Sequence, residues 1–509
     1  MKKALALLLG TVLLIALSAG FVTGSGEQPE LGTDRLELTW MVHDFVNAPT
    51  KDDSIANKFF EDRFNIAIHF ETVNFEDYNT KLGLVLATDD RPDLVWAMPW
   101  EGGLSMYYDT GLVAELTPYL DTYAPDFMAI MNGDPSLAKN VKDDQGRYFF
   151  FPQLLYGYDR EGVAMRMDWL EELGLPVPTT TDEFFDAVLA MKTLDPKVIP
   201  ITSGQYMPAE LGLPRPFYRA FGTWETWFPF SESEYLFGPY ERSEEMRACL
   251  KWLNALYEAG AIDQDYLTVD QDASVAKMMN DEVGAIYGWM GGDHMWPKNA
   301  DGTYDEYYNW DVILPLKGPG GLQIGDAADL VGHPTYITSS CPEIERVISF
   351  FNWCYSEEGI DFLNYGIEGV TYTFNEDGTR EYMKEFQEHE YGLGNGLRAA
   401  GFLGVTRPYV NRPDNAFAAS PSTVRYIEAS KPFERLSFPN LTPTPEEVDI
   451  DVQLGADILK YCEDTLPLFV VGQLNTDGDF DAFLTRLEAM RVEEYIANKR
   501  AQYERWQAR

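Results

Sequence analysis

The sequence predicts an α/β protein organised on a parallel sheet, and two observations carry that prediction. Short apolar stretches at 36–42, 66–73 and 94–97 alternate with helical stretches at 54–64 and 77–87. Strand, helix, strand, helix, strand is the order of parallel strands joined by crossover helices. Secondly, 509 residues of which 45% are hydrophobic can bury a large core and fill two or three domains.

Before the first strand comes an export signal. Lys2 and Lys3 form a basic start, residues 4–17 an apolar stretch, and Ser18, Ala19 and Gly20 a small-residue exit. The apolar stretch is shorter than the roughly 18 residues a spanning helix needs, so residues 1–24 read as a signal peptide cleaved between Gly20 and Ser25. No later run reaches that length, and the mature chain is expected to be soluble.

From there each element has its own signal. Residues 36–42 alternate and run into a loop carrying His43, Asp44 and Asn47. Ser54 is a fair N-cap for the helix 54–64, which places Ile55, Phe59, Phe60 and Phe64 on its inner face. Pro92 and Asp93 start the strand 94–97, and Trp100, Gly102 and Gly103 follow in a bare turn. Open parallel sheets bind ligands outside the carboxyl ends of their strands, which directs attention to the loops at 43–49 and 98–103.

Further on, 146–152 reads as a strand leaving this first unit, 163–167 as a strand of the next, and 168–173 as a helix closed by Gly174. Thr181 is read as the cap of a helix over 182–192. Residues 244–259 have the strongest amphipathic pattern, with Met246, Cys249, Leu250, Leu253 and Leu256 at helical spacing. Strands are expected at 284–287, 311–314 and 335–338, and a helix at 344–354. No internal repeat is apparent, and the last third is the least legible.

Charge narrows the partners. With 39 Lys and Arg against 82 Asp and Glu, the formal charge of −43 excludes nucleic acid and anionic lipid, which are bound mainly through Lys and Arg. It also disfavours a polyanionic ligand, since no basic patch is visible. The four cysteines, Cys249, Cys341, Cys354 and Cys462, fit no zinc spacing and read as free thiols, with Cys341–Cys354 the pairing to test in an oxidising compartment. Asn475, Asp477, Asp479 and Asp481 alternate like calcium ligands, but Phe480 stands where the loop needs Gly and Arg486 where it needs Glu, so this is a turn before a helix. Gly392, Gly394 and Gly396 lack the dinucleotide-binding spacing and read as a flexible loop. Neither H-E-x-x-H nor G-x-S-x-G occurs.

Three segments carry a family resemblance: Arg91-Pro92-Asp93-Leu94-Val95, the run from Met167-Asp168-Trp169-Leu170 to Pro178-Thr179-Thr180, and Tyr365-Gly366-Ile367-Glu368-Gly369-Val370-Thr371-Tyr372. Together and in this order they resemble family-one extracellular solute-binding proteins of the LplA-like branch, the binding components of ABC importers for oligosaccharides. The resemblance implies a two-lobed, type II periplasmic-binding-protein-like α/β fold, with a hinge that closes on ligand. On that pattern the first lobe takes 34–153 and 311–360, and the second 154–310 and 361–509. It further implies a monomer that hands a carbohydrate to an ABC transporter permease, with no catalytic residue, metal or cofactor. Two departures matter. Phe21 stands where lipoproteins of the branch carry a Cys, so a periplasmic or secreted protein without lipid anchor is expected. After the helix 182–192, Asp195 is followed by Pro196 and Lys197, which offers one carboxylate where calcium takes six or more oxygens.

A sugar site answers C–H faces with aromatic rings and hydroxyl edges with carboxylates and amides. The candidate stacking residues are Trp100, Trp224, Trp227, Trp289 and Tyr372, and the candidate hydrogen-bonding residues Asp44, Asn47, Asp293 and Glu368; about half are expected to touch ligand, since aromatic residues also build cores. Two rival classes stay open. An exported glycoside hydrolase would need two carboxylates across a scissile bond, and a peptide or polyamine binder on the same scaffold would exploit the acidic field.

Overall fold

The structure, a computed structural model, describes residues 32–44, 48–97, 103–156, 161–203, 212–269, 271–289, 310–326, 330–389, 392–404, 407–412 and 421–509. In chain order its strands are β1 (Leu36–His43), β2 (Ile66–Val73), β3 (Leu94–Trp96), β4 (Phe150–Phe151), β5 (Gln153–Leu155), β6 (Glu161–Arg166), β7 (Ile199–Ser203), β8 (Trp227–Ser231), β9 (Glu234–Phe237), β10 (Val283–Trp289), β11 (Trp310–Ile313), β12 (Thr335–Ile337), β13 (Tyr372–Phe374), β14 (Arg380–Tyr382) and β15 (Tyr409–Asn411).

The first sheet has the order β2-β1-β3-β12-β4, with β1, β2 and β3 parallel and β12 antiparallel to both its neighbours. The first of its helices starts where the sequence puts it, and the second starts at Phe75, ahead of the expected Asp77. Ser54 accepts the Asn57 N–H (3.3 Å) to cap the helix Ile55–Phe64, and Asn74 accepts the Asp77 N–H (2.9 Å) to cap Phe75–Leu86. Asp93 pins the register of β3, because its carboxylate accepts both the N–H (2.8 Å) and the hydroxyl (2.9 Å) of Thr39 in β1. Trp40, Phe60, Trp96, Phe127, Phe151 and Phe351 belong to the apolar core packed on this sheet.

The second sheet is mixed, order β11-β6-β10-β7: β6 runs antiparallel to β10 and β11, while β7 and β10 are parallel. Helices Thr181–Met191, Arg215–Phe221, Ser243–Glu258 and Ala456–Val470 bury their apolar faces in a second core. The antiparallel hairpin β8–β9 belongs to it as well, through Trp227, Phe228 and Phe237. Gly174, at φ +65°, closes the helix Met167–Glu172 in the left-handed region that glycine enters at no steric cost.

Four sequence expectations change. The strand β11 pairs with β6 in the second sheet, whereas residues from Phe362 to Leu403 join the first core. The chain therefore recrosses after Asp326, and 311–326 and 361–411 exchange lobes relative to the expected partition; strand pairing and burial, which a one-dimensional reading does not show, decide this. The cap of Thr181–Met191 is Thr180, whose hydroxyl accepts the Glu183 N–H (3.1 Å) while the Glu183 carboxylate accepts the Thr180 N–H (3.2 Å). Thr180→Ala should cost about 1 kcal/mol in chemical denaturation, the usual value for losing such a cap. Residues 392–399 form a helix, Gly392–Ala399, rather than a flexible loop. A Cβ on Gly396 would lie 3.0 Å from that of His389, so close packing here favours glycine despite its poor helix propensity. The strand expected over 146–152 shortens to Phe150–Phe151. All four cysteines are free, Cys341 and Cys354 included.

Three crossings join the two units: between Tyr156 and Glu161, between Asp326 and Leu330, and between Arg412 and Pro421. A further contact comes from the C-terminal helix Val492–Gln507 and the residues after it. Arg505 and Arg509 reach Asp144 of the first unit (2.8 and 2.7 Å), and the Trp506 indole N–H donates to Asn140 (3.0 Å). No helix among the described residues is long and apolar enough to cross a membrane.

Candidate functional site

The parallel strands of both sheets aim their carboxyl ends toward the crossings. In the first sheet β1 ends at His43 and β3 at Trp96, next to Pro334, whose carbonyl accepts the Ala97 N–H (3.0 Å). In the second, β10 ends at Trp289 and β7 at Ser203, while β6 starts opposite Trp289 at Glu161. Parallel-sheet ligands bind at such ends.

At the first-sheet end two buried imidazoles meet an aromatic ring. The ring of His333 lies 4.5 Å and that of His43 5.9 Å from Trp96. Burial lowers the pKa of His43 to about 4, and burial together with the neighbouring His43 lowers that of His333 to about 3, so both imidazoles are neutral near neutral pH. Asp44, half-buried, donates its N–H to the Val73 carbonyl (2.8 Å) and so sits at the mouth of β1. Trp96 is core: its carbonyl accepts the Tyr78 hydroxyl (2.8 Å).

At the second-sheet end lies an ion network that sequence reasoning missed. The Arg219 guanidinium, 3% exposed as a residue, is 3.3 Å from both Glu161 and Asp326. Arg435 binds Asp326 at 2.9 Å, and Arg215 binds Glu225 at 2.8 Å. The Tyr287 hydroxyl donates to the Glu161 carboxylate, and the Glu161 N–H donates to Asp326 (3.0 Å). Burial opposes the charge of Arg219, yet Tyr287, Asp326 and Glu161 raise its pKa; burial likewise acts against Asp326, yet Arg435 and Arg219 hold its pKa below the usual value. Burial keeps the pKa of Glu225 raised despite Arg215. No local signal could have revealed this set, whose members are spread from 161 to 435 and meet only through the fold.

The expected site residues separate on this frame. Trp224 lies over the network, its ring 4.8 Å from Arg219 and 5.4 Å from Arg215, with 4% of its surface exposed. Trp289 ends β10 in register with Glu161, so its backbone adjoins the same network. Trp227 is elsewhere: it is stacked on Tyr235, and its N–H donates to the Tyr495 hydroxyl (3.1 Å), deep in the second core. Glu368 is exposed and Tyr372 half-buried at the hairpin β13–β14, where Arg380 lies 3.6 Å from the Tyr365 ring and 5.5 Å from that of Tyr372. Thr371, at the base of this hairpin, is anchored against the first core by hydrogen bonds to Ile367, so Glu368 and Tyr372 belong to the first unit. Asn47, Trp100 and Asp293 lie outside the described residues. Among the described residues no group of three or more His, Cys, Asp or Glu is placed to hold a metal.

Chemically, this arrangement suits capture rather than bond cleavage. Arg435 and Arg219 hold Asp326 below the usual carboxylate pKa, which keeps it as an ion and not as the proton donor that a hydrolase pair requires.

Comparison with known proteins agrees. The chain is 21% identical over 495 residues to the polygalacturonan/rhamnogalacturonan-binding protein YtcQ of Bacillus subtilis (strain 168), covering 94% of each chain. Its fold matches the alginate-binding protein AlgQ2 crystallised without calcium ion (TM-score 0.77, 18% identity, 93% of this chain and 100% of that one). It also matches the Streptococcus pneumoniae ABC-transporter substrate-binding protein FusA in complex with kestose (TM-score 0.73, 18% identity, 93% and 99%). Both are two-lobed solute-binding structures, so the two sheets described above are the cores of two lobes and the expected fold class is the observed one. The profile of the bacterial extracellular solute-binding proteins matches residues 47–361, more than half of the chain. The chain therefore belongs to the bacterial extracellular solute-binding protein family and is a substrate-binding, non-enzymatic component of an ABC transporter.

Proposed function

We propose that this protein captures an oligosaccharide or related carbohydrate between its lobes, outside the cytoplasmic membrane and without a lipid anchor, and presents it as a monomer to an ABC permease. The observation that carries the reading is the convergence of β1, β3, β7 and β10, whose carboxyl ends all face the crossings between the lobes. Relatives named for binding polygalacturonan and alginate, and one crystallised with kestose, support the substrate class. Asp44 and Trp289 are the described residues we assign to the site, joined by Asn47, Trp100 and Asp293 on the segments that follow these strand ends. Trp224 backs the site as a buried support. Closure follows from tighter binding of the solute to the closed state.

A thermal-shift series with kestose, laminaribiose and trigalacturonate tests this. A sugar bound only by the folded state should raise the melting temperature with concentration, gaining about 2.7 kcal/mol at a hundred times Kd. A neutral sugar should win over trigalacturonate, given the charge of −43. If instead only spermidine or a basic peptide shifts the melt, in a way that salt abolishes, the ligand is a cation and the carbohydrate reading fails. Release of monosaccharide during incubation would favour the hydrolase.

A further inference from the structure

The second-lobe ends of all three crossings meet at one set of side chains. Glu161 is the first described residue after the first crossing, and Asp326 is the last before the second. After the third comes the helix Pro421–Ser430, from which the Tyr426 hydroxyl donates to the Glu161 carbonyl (3.1 Å). Arg435, farther along the same return, closes on Asp326 (2.9 Å). Arg219, on the helix Arg215–Phe221 of the second core, touches both Glu161 and Asp326.

The first-lobe ends are joined differently. There β5 pairs with β15, the Leu155 N–H donates to the Leu330 carbonyl (2.9 Å), and the Gly332 N–H donates to that of Gln153 (2.8 Å). Backbone pairing ties the crossings on the first-lobe side, whereas on the second-lobe side one backbone bond, from the Gly325 N–H to the Phe433 carbonyl (2.7 Å), is joined by the charged side chains around Arg219.

A buried ion network is an expensive way to gain stability, because desolvation offsets much of the attraction; where such networks persist, a defined geometry is their best-attested use. The geometry at stake is the direction in which three chain segments leave the second lobe. Glu161 also lies in register with Trp289, so the network and the proposed site share this strand end.

We infer that Arg219 is a positioning residue for solute capture: it locks the second-lobe roots of the three crossings into one pivot, so that the lobes turn as rigid bodies and occupancy at the end of β10 is converted into closure. The inference rests on reading the chain as a hinged carbohydrate binder, and its test includes a measurement that needs no solute.

In ligand-free protein, Arg219→Gln should speed hydrogen exchange at the Glu161 amide, which donates to Asp326, by tenfold or more over wild type, while helix amides of either core keep their protection. Tyr426→Phe removes a single hydroxyl from the third root and should act in the same direction, more weakly, without threatening the fold. With kestose or laminaribiose as the probe, whichever wild type binds, Arg219→Gln should weaken Kd about tenfold, a usual size for coupling between sites. It should also reduce the fall in radius of gyration at saturation. Unchanged exchange at Glu161 in both variants overturns the pivot whatever the protein binds. A lower melting temperature with wild-type Kd and full compaction at saturation overturns it too, since that leaves Arg219 a merely structural role. If neither sugar binds wild type, the carbohydrate reading is what fails, and the exchange result alone decides the pivot.

Discussion

Acidification from pH 6.5 to about 4 is expected to remove on the order of 3 kcal/mol of stability through His43 alone. The imidazole is 7% exposed as a residue and its burial holds the pKa near 4, against 6.5 in the unfolded chain. The folded pKa is the lower one, so the unfolded state takes up the proton first. Stability is thus fully present above pH 6.5 and declines as pH falls toward the folded value, after which it levels off. His333, beside it and lowered to about 3, extends the decline to still lower pH. Asp326 contributes in a different window: its folded pKa lies below the ordinary carboxylate value of 3.8, so its share is lost only in stronger acid. Urea denaturation at a series of pH values checks this. The slope of stability against pH between 6.5 and 4 should shrink in His43→Gln, and parallel curves for variant and wild type would show that His43 protonates freely in the folded protein.

Trp227→Ala should destabilise the protein by about 3–5 kcal/mol and leave solute affinity at the wild-type value. The sequence marks Trp227 as a stacking candidate together with Trp224. In the fold its ring lies 5.2 Å from Tyr235, 5.4 Å from Phe237 and 5.6 Å from Tyr495, and it is 7% exposed. Truncation opens a cavity among these rings and leaves the Tyr495 hydroxyl without the indole N–H it accepts at 3.1 Å. Denaturant midpoints and titration calorimetry on the same sample separate the two properties. Intact stability with lost binding would return Trp227 to the site.

What made the family legible turns out to be scaffolding. Asp93, in the first recognised segment, fixes the register of β3 on Thr39. In the second segment, Asp168 binds Arg166 at 2.8 Å and holds it over the Trp169 ring, while Thr180 and Glu183 cap the next helix. In the third, Gly366 at φ +88° and Thr371, which accepts the Ile367 N–H at 2.7 Å, shape the turn before β13. These are local devices, encoded within a few residues, and a single sequence displays them. The site is harder to see because its parts come from strand ends far apart in the chain. Asp44 and Trp289 could be picked out as residues following a strand pattern, whereas Arg219, Glu161 and Asp326 look like any other charges in an acidic chain.

The sequence by itself determined the α/β class, the positions of β1, β2 and β3, and the helix from Ser54, because apolar periodicity and capping are properties of contiguous residues. It also carried the family resemblance and the acidic character that sets the expected ligand charge. Tertiary structure alone decided which lobe receives β11 and the residues from Phe362 to Leu403, why Gly392–Ala399 is helical, and that Trp224 and Trp227 are both buried in the second core. It alone joined three crossings at Arg219. Each of these depends on partners more than a hundred residues away or on the space left by neighbours, and no window along the chain contains that information.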